Sequence, residues 1–583
     1  MPGLLHMPYE VLLSIMEDFD FVDVANLALT CKDLKFLVVE ERICKPITKA
    51  RFSSEAKSAV LTGGGYARAL RSIAKRREAL ATVSPFTVTT IGYCHTYIYC
   101  KGVLCYTLDN RIRILNLHGS GHDELVISIR QLLMVSGIQN YTKRTFEILY
   151  CSKEVVSCLS RSLNPDDQTL WLIVFGINGV DLLVEEFVST HIFVRHNEKF
   201  LYVGIDSGVD TSSWVVQGYD LTTQKQFPQK VDLPDVVGSV VGTTVCFEIH
   251  GSYFYALSTR DIMDTMDYES YYCCFRFPLD SPSNELLEQT EMWRRRHEEG
   301  PIDERQTILR LDEDETTGKL MIIECRLEWL QGQRRQRTYY ATEIIWLEDK
   351  SETSSISSRS QNGFEQTEPP QRLPENTHPD NGFLIHTIRV QSYQTLCATF
   401  LDLFDDTAGT QMLRLHACSR QPKPPLENTS GVLRAPSETL ETALKELYRE
   451  DISFWPKSLD TAESEELLRL LNPPMYSGDV QGIADERSMV YVTGSKDKPR
   501  QLIFVGFDAT IRLRGVKRWG ETGKYFEGSI SIDRKGKRKD ILERGADMQV
   551  SRGEILIDVQ EETAMYRNMC LGYNFGRAPA SDL

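Results

Sequence analysis

The N-terminal stretch of the chain carries three short runs of apolar residues at helical spacing. Val11, Leu12 and Ile15 fall on one face of a first helix, because their intervals match the helical turn. Asp23 is the predicted N-cap of a second helix, and a third run covers residues 34–38. Three helices in so short a stretch cannot bury all this apolar surface against one another. We therefore expect the excess to face a partner or the rest of the chain.

After a glycine run at residues 63–65, the pattern predicts a further helix from Tyr66 to about Ala81. From about Pro85 onward the apolar residues occur in short runs rich in aromatic and β-branched side chains, with turn residues between them. This change of pattern predicts a large domain of short strands. The predicted fold class is α+β multidomain, with a small three-helix module, a helical linker and a large all-β domain.

A weak internal repeat predicts the architecture of the β domain. Aromatic clusters ending in tyrosine recur at Tyr99, Tyr202 and Tyr255, which are separated by 103 and 53 residues. A period of about 50 residues with several short strands is what one blade of a β-propeller requires. Blades bury their faces against their neighbours, so we expect a closed ring, with the FTVTTIG stretch as the closing strand. A pair of β-sandwiches is the alternative architecture.

Two segments interrupt the pattern of strands. Residues 349–381 are rich in Ser, Gln, Glu and Pro and almost without aliphatic residues, so we expect a disordered insertion there. Leucines at helical spacing predict a helical insertion near residues 437–471. The predicted boundaries are 1–45 for the three-helix module, 46–84 for the linker, 85–348 and 382–577 for the two parts of the propeller-like domain, and 349–381 for the insertion.

The order of residues in the N-terminal module resembles the F-box, the adaptor-binding motif of SCF-type ubiquitin ligases. The resemblance rests on Met7-Pro8-Tyr9-Glu10, Val11-Leu12, Ile15, Asp23-Val24, Leu27, Leu29, Cys31-Lys32 and Leu34. It implies that the helices dock on a Skp-family adaptor, which joins a cullin scaffold. The alternative is a structural helical cap on the β domain. The residues expected to contact the adaptor, as aliphatic anchors, are Leu5, Pro8, Val11, Leu12, Ile15, Met16, Leu27 and Leu29.

A looser set of residues resembles a group of fungal F-box proteins. It consists of Arg76-Arg77-Glu78-Ala79, the run from Tyr99 to Tyr106, Arg113-Ile114-Leu115, Asn472-Pro473-Pro474 and Asp485-Glu486-Arg487-Ser488. This resemblance spans most of the chain. It supports one continuous C-terminal β domain and implies nothing about the substrate.

These resemblances imply a non-enzymatic protein, the substrate receptor of an SCF-type ligase, whose β domain binds a protein substrate. The mechanism would be proximity, because the receptor raises the effective concentration of a substrate lysine near the ubiquitin-charged enzyme. Two other classes stay open. One is an F-box scaffold or interaction protein without ubiquitin transfer. The other is an enzyme with an active site in the β domain, which needs a convergent acid, base or metal set.

The composition and the short motifs of the chain limit the classes of partner and of chemistry that it can be expected to have. The net charge of −16 argues against a nucleic-acid partner. The sequence shows neither a basic and apolar leader nor a long apolar run, so we expect a cytoplasmic or nuclear protein that is not secreted and binds no membrane. It has no P-loop, HExxH or GxSxG motif, so no cofactor, metal ligand or catalytic residue is predicted.

One basic run lies beside an aromatic residue, Trp293-Arg294-Arg295-Arg296-His297. Because Glu291, Glu298 and Glu299 flank it, we expect an exposed turn or helix whose charges are paired locally. The alternative is a site at which arginine forks bind an acidic degron.

Overall fold

Helices occupy the N-terminal part of the computed structural model of the chain, and strands dominate the rest. The structure describes residues 7–17, 19, 21–52, 63–138, 144–152, 154–164, 169–179, 183–187, 192–206, 214–238, 240–263, 268–296, 301–303, 307–314, 318–330, 334–346, 376–379, 388–406, 412–422, 448–457, 461–473, 478–519 and 557–575.

The first helices form a unit that we call the helical module (residues 7–52). Asp23 lies in the first turn of its second helix rather than at the N-cap, so that prediction is wrong. The helix begins at Phe21, whose ring packs against Phe52 with centroids 5.1 Å apart. The predicted linker helix is present over Tyr66–Ala81. The helices described are Tyr9–Glu17 (α1), Phe21–Thr30 (α2), the 3-10 helix Lys32–Val38, Glu41–Arg51 (α3), Tyr66–Ala81 (α4), Ile129–Val135 (α5), Ala462–Leu471 (α6) and Met565–Met569 (α7).

The strands form seven sheets within the described residues. Five consist of strands that are consecutive in the chain, and two combine strands from both ends of the β domain. The strands of each blade are given from inner to outer: blade 1 is Tyr97–Cys100 (β2), Val103–Leu108 (β3), Arg111–Asn116 (β4), Asp123–Ser128 (β5) and Val559–Thr563 (β30); blade 2 is Arg144–Cys151 (β6), Val155–Ser162 (β7), Leu170–Gly176 (β8) and Leu183–Phe187 (β9); blade 3 is Ile192–His196 (β10), Phe200–Asp206 (β11), Trp214–Asp220 (β12) and Lys225–Leu233 (β13). Blade 4 is Val245–His250 (β14), Tyr253–Met263 (β15), Tyr268–Pro278 (β16) and Glu288–Arg296 (β17); blade 5 is Ile308–Glu313 (β18), Leu320–Leu330 (β19), Arg334–Glu343 (β20) and Asn376–Pro379 (β21); blade 6 is Ile388–Gln394 (β22), Thr399–Asp406 (β23), Met412–Pro422 (β24) and Tyr448–Trp455 (β25). Blade 7 is Val480–Ala484 (β26), Ser488–Thr493 (β27), Arg500–Gly506 (β28), Thr87–Cys94 (β1), Gly572–Asn574 (β31) and Lys517–Arg518 (β29).

An apolar cluster lies at each junction between neighbouring blades. Between blades 3 and 4, Phe193 stacks on Phe247 with ring centroids 3.6 Å apart. Tyr339 and Tyr393 stack at 3.8 Å between blades 5 and 6. Because the series also joins blade 7 to blade 1, the sheets close into a ring. The prediction of a β-propeller is confirmed, with seven blades, and the alternative of two β-sandwiches is wrong.

The last blade is completed by the first strand of the β domain, as predicted. In blade 7, β1 pairs with β28 from Thr87 opposite Gly506 to Cys94 opposite Arg500. The C-terminal segment then adds β31 to the free edge of β1 and β30 to the outer edge of β5. This second connection between the ends of the β domain was not predicted from the sequence.

The helical module lies on one face of the propeller, which we call the module face. In each blade the first and third strands end on the same face of the ring, because neighbouring strands are antiparallel. Leu396, in the connection between β22 and β23, packs against the module core. Asp508, directly after the third strand of blade 7, lies 3.5 Å from Arg76 of α4.

Two strands fall inside segments for which other structure was predicted. Asn376–Pro379 pairs with β20 inside the predicted disordered insertion, and Tyr448–Trp455 pairs with β24 inside the predicted helical insertion. Both segments complete the outer edge of a blade, an interaction with distant strands that local composition does not reveal. Helix α6 agrees with the end of the helical insertion, whereas residues 349–375, 380–381, 437–447 and 458–460 of these predictions lie outside the described residues.

Gly204 in β11 lies where the backbone approaches a neighbouring ring closely. An added Cβ would be 1.8 Å from Cε1 of Phe193. We expect Gly204→Ala to lower the free energy of unfolding by about 1–3 kcal/mol, because the stacked ring must move. The control is Gly92→Ala, whose Cβ would meet Met565 Sδ at 3.4 Å, an ordinary contact. Calorimetry that finds equal melting temperatures for the two variants would contradict this packing.

Candidate adaptor interface

One face of each module helix packs into a common core. Helix α4 completes this core with Ala67, Leu70 and Ile73, so the first half of the linker helix belongs to the module. Short helices gain most of their stability from such tertiary packing. The buried apolar residues of the module are Leu12, Met16, Phe21, Val24, Ala28, Leu34, Leu37, Ile43, Cys44, Ile47 and Phe52.

Several apolar side chains of the module point to solvent. Leu29 is 80% exposed and Val11 is 45% exposed. Pro8 is exposed as well, and its carbonyl accepts hydrogen bonds from the N–H groups of Val11 and Leu12 at 3.1 Å, which fixes the entry into α1. Apolar surface left in water is favourable to bury against a partner. The large exposed apolar residues of the module are Met7, Val11, Phe19, Leu29 and Val39.

The residues predicted to contact the adaptor divide into three groups by burial. Pro8, Val11 and Leu29 are exposed, and Ile15 and Leu27 are half-buried. Leu12 and Met16 are 6% and 1% exposed, so their assignment to the contact surface needs correction. Helical spacing places apolar residues on one side of a helix but does not distinguish a core-facing residue from a docking residue. Leu5 lies outside the described residues.

The module holds the N-terminus of α4 through one carboxylate. Glu41 accepts hydrogen bonds from the N–H groups of Tyr66 and Ala67 at 2.9 and 3.1 Å. These donors have no partner within the helix itself. Gly65 precedes them with a φ of +77°, and a Cβ there would lie 2.4 Å from Glu41 Oε1. The predicted glycine breaker is therefore required where the helix meets the module.

The second half of α4 packs into the propeller. Ala79 and Leu80 of α4, and Val83 just after its end, belong to the apolar cluster between blades 6 and 7. Arg71 meanwhile donates from Nη1 to the carbonyl of Val38 in the module at 2.6 Å. One continuous helix thus contributes to both cores, which sets the orientation of the module relative to the ring.

A buried ion pair fixes the middle of α4 to blade 7. Arg76 Nη1 lies 3.5 Å from Asp508 Oδ2, and the two side chains are 5% and 3% exposed. Asp508 also accepts from Arg487 Nε at 2.8 Å and from the N–H of Thr510 at 2.8 Å. Burial raises the pKa of Asp508, but the charge of Arg487, the Thr510 hydrogen bond and Arg76 outweigh it and hold the pKa below its ordinary value.

The lowered pKa of Asp508 predicts a pH dependence of stability. Its contribution is fully present above the unfolded aspartate pKa of about 3.9 and is lost as the pH falls through the lower folded pKa. We expect Asp508→Asn to be less stable than wild type at neutral pH and to lose less stability on acidification. Asp497→Asn, at an exposed position, is the control. If wild type and Asp508→Asn lost stability in parallel between about pH 5 and pH 2, the lowered pKa assigned to Asp508 would be contradicted.

Ser488, His118 and Asp485 meet where blade 7 joins blade 1, and these residue types also serve in nucleophilic catalysis. Ser488 Oγ and Asp485 Oδ2 both approach Nε2 of His118, at 3.1 and 3.3 Å. A catalytic histidine uses one ring nitrogen for the nucleophile and the other for the carboxylate. Ser488 is also only 1% exposed. This geometry fits a polar link between two blades, not a nucleophile.

The basic run near residue 294 is strand β17, so the predicted exposed turn or helix is wrong. Arg294 is 7% exposed and donates from Nε to Glu324 of blade 5 at 3.2 Å. Its Nη1 donates to Ser270 at 3.1 Å, and Nη2 also pairs with Glu324. Because the guanidinium of Arg294 is buried between two blades and paired with Glu324, it is not available to bind an acidic degron.

In the part of the chain that the structure describes, no three His, Cys, Asp or Glu side chains are grouped so as to hold a metal ion. None of the described helices has the length and apolar composition needed to cross a membrane.

Comparison with known families decides the nature of the module. The model of the F-box domain matches residues 4–45. This segment is an F-box domain. The chain is thus an F-box protein with a seven-bladed propeller, and the fungal grouping stays a prediction. No curated protein matches the chain.

Several solved structures align with the chain at low similarity. The extracellular domains 1–2 of Drosophila Semaphorin 1b are 8% identical, with 72% of this chain and 88% of that chain covered and a TM-score of 0.28. Drosophila Plexin A in complex with Semaphorin 1b is 10% identical, with 73% and 87% covered and a TM-score of 0.30. The polysaccharide lyase Uly1 is 8% identical, with 71% and 90% covered and a TM-score of 0.30. TM-scores this low support no conclusion about the function of the F-box protein.

Proposed function

We propose that this F-box protein is the substrate-recognition subunit of an SCF-type ubiquitin ligase. The observation that carries the proposal is an F-box domain that leaves Val11 and Leu29 exposed while it shares a helix with the propeller. The F-box binds a Skp-family adaptor and, through it, a cullin scaffold. The propeller binds a protein substrate. We expect such a receptor in the cytoplasm or the nucleus.

The shared helix supports a mechanism based on proximity. Because α4 contributes residues to the F-box core and to the cluster between blades 6 and 7, the propeller has a set orientation relative to the F-box and hence to an adaptor bound there. A substrate on the propeller would be presented to the ubiquitin-charged enzyme within a limited volume, which raises the effective concentration of its lysines. The receptor itself supplies no nucleophile in this mechanism.

The proposal is tested by reconstituted ubiquitin transfer. The full-length protein is assembled with adaptor, cullin and RING subunit, and ubiquitin transfer to proteins that copurify with the propeller is followed. A ligase receptor gives transfer that is lost in the Val11→Asp, Leu29→Asp double variant. The matched control is Val237→Asp, Val240→Asp, which alters valines exposed by 48% and 56% on the propeller. Adaptor binding without any transfer would indicate a scaffold and contradict the proposal.

A further inference from the structure

Basic side chains are concentrated at one place on the module face of blades 7 and 1. After blade 7 turns at Asp508, the chain continues as Ile511-Arg512-Leu513-Arg514-Gly515-Val516-Lys517. Ile511 and Leu513 are 2% and 1% exposed, whereas Arg512, Arg514 and Lys517 are exposed. The apolar side chains of this segment therefore face inward and the cations face outward.

A second element adds a further cation to this surface. Arg567, on helix α7, is 40% exposed, and its Cγ lies 3.8 Å from the position that a Cβ on Gly515 would take. Burial raises the pKa of the neighbouring Tyr566 to about 12, and the carboxylates of Asp123 and Glu124 act in the same direction, while the cations Arg567 and Arg514 both act to lower it. We call Arg512, Arg514, Lys517 and Arg567 the basic strip.

Contacts with neighbouring elements fix the backbone of the basic strip. The N–H of Arg512 donates to Ser120 Oγ of blade 1 at 2.7 Å. Lys517 lies in β29, where it pairs with Tyr573 of β31. Trp519, just beyond, packs edge-to-face on Tyr573 with centroids 4.9 Å apart. A partner that binds the strip therefore meets cations on a backbone that is already ordered, which lowers the entropic cost of binding.

The charges of the strip are little compensated within the described residues. The carboxylate that the structure places within ion-pairing distance of these four side chains is Asp123, 4.0 Å from Arg567 Nη1. Cations at close quarters repel one another, and the strip belongs to a chain with a net charge of −16. An anionic partner would relieve this repulsion, and complementary charge would steer its encounter with the strip.

We propose that the basic strip binds an acidic peptide segment, rich in Asp and Glu, of a partner protein. A short peptide places its carboxylates on the strip alone. A nucleic acid would extend a continuous row of phosphates over the surrounding surface of an acidic protein, which is unfavourable. The strip shares no residue with the exposed apolar surface of the F-box, so this inference is tested independently of the proposed ligase function.

Fluorescence anisotropy with a labelled deca-glutamate peptide tests the inference on the full-length protein. We expect saturable binding that weakens as salt rises. In Arg512→Glu, Arg514→Glu, Lys517→Glu we expect binding to be weaker by about tenfold or more. The control reverses three exposed lysines elsewhere, in Lys225→Glu, Lys230→Glu, Lys498→Glu, which changes the net charge of the protein by the same amount. Because the basic strip is intact in this control, we expect its affinity for the peptide to stay within about twofold of wild type.

Three outcomes would overturn the inference: absence of binding at low salt, equal weakening in both triple variants, or tighter binding of a labelled oligothymidine than of the peptide. If charge reversal lowers the melting temperature, the neutral variant Arg512→Gln, Arg514→Gln, Lys517→Gln takes its place and is expected to weaken binding in the same direction. Adaptor capture is measured on the same proteins, so loss of the strip and loss of F-box function are distinguished.

Discussion

Replacing Arg326 by Ala is expected to lower the free energy of unfolding by about 3–5 kcal/mol. Arg326 is completely buried in blade 5. Its Nη2 lies 2.7 Å from Glu324 Oε2 and donates to the hydroxyl of Tyr272 at 3.1 Å. Its guanidinium carbon lies 4.1 Å from the centre of the Tyr340 ring. The variant removes a cation from a site that water does not reach.

The cost arises because two carboxylates stay behind. Glu324 and Glu328 are both fully buried beside Arg326. Burial raises the pKa of Glu324, but the charges of Arg294 and Arg326 outweigh burial and hold it well below its ordinary value. Removing one partner of a buried ion pair leaves an uncompensated charge, which is far more costly than losing an exposed pair.

Chemical denaturation of the purified full-length protein measures this effect. The control is Arg260→Ala in blade 4, because Arg260 is 44% exposed and its Nη1 lies 3.4 Å from Glu291. We expect the control to stay within about 0.5 kcal/mol of wild type. Equal midpoints for Arg326→Ala and Arg260→Ala would show that the buried charges between blades 4 and 5 are not coupled as the structure has them.

Leu12→Asp is expected to unfold the F-box, whereas Val11→Asp is expected to leave it folded. The two residues are neighbours in α1, but Leu12 is 6% exposed and Val11 is 45% exposed. An aspartate at position 12 would place a carboxylate without a partner in an apolar core, at a cost of roughly 3–5 kcal/mol. At position 11 the carboxylate stays in water, and the expected change is within about 0.5 kcal/mol.

Far-UV circular dichroism and limited proteolysis of the N-terminal helices distinguish the two variants. We expect loss of helical signal and rapid cleavage near residues 7–52 for Leu12→Asp alone. The propeller should keep its own melting transition in both variants, because each pair of blades has a separate apolar cluster. A folded F-box in Leu12→Asp would mean that Leu12 faces solvent and contacts partners, as its helical spacing first suggested.

The parts of the fold that follow from local order were predictable from the sequence. The F-box was recognisable because its residues keep a fixed order over three short elements, from Pro8 to Leu34. The recurrence of Tyr99, Tyr202 and Tyr255 predicted the blades, and these three tyrosines lie in the first or second strand of blades 1, 3 and 4. The FTVTTIG stretch was identified as the closing strand because a ring must be sealed by its own ends.

The features that depend on distant pairing were not predictable in the same way. Nothing near Arg294 indicates that its partner is Glu324, 30 residues away in the next blade. The strand Tyr448–Trp455 forms on the free edge of β24, although a leucine pattern nearby predicted a helix. The basic strip was missed because Arg567 joins Arg514 only when the C-terminal segment returns to blade 7. In each case the decisive contact joins residues that the sequence separates.

The most direct test of the proposed adaptor function is calorimetric titration of a purified Skp-family adaptor into the full-length protein. We expect binding by wild type and by Val237→Asp, Val240→Asp, and loss of binding in Val11→Asp, Leu29→Asp with an unchanged melting temperature. Binding that survives in the folded Val11→Asp, Leu29→Asp variant would contradict the assignment of the exposed F-box residues to the interface. Absence of binding by the folded wild-type protein would contradict the adaptor function itself.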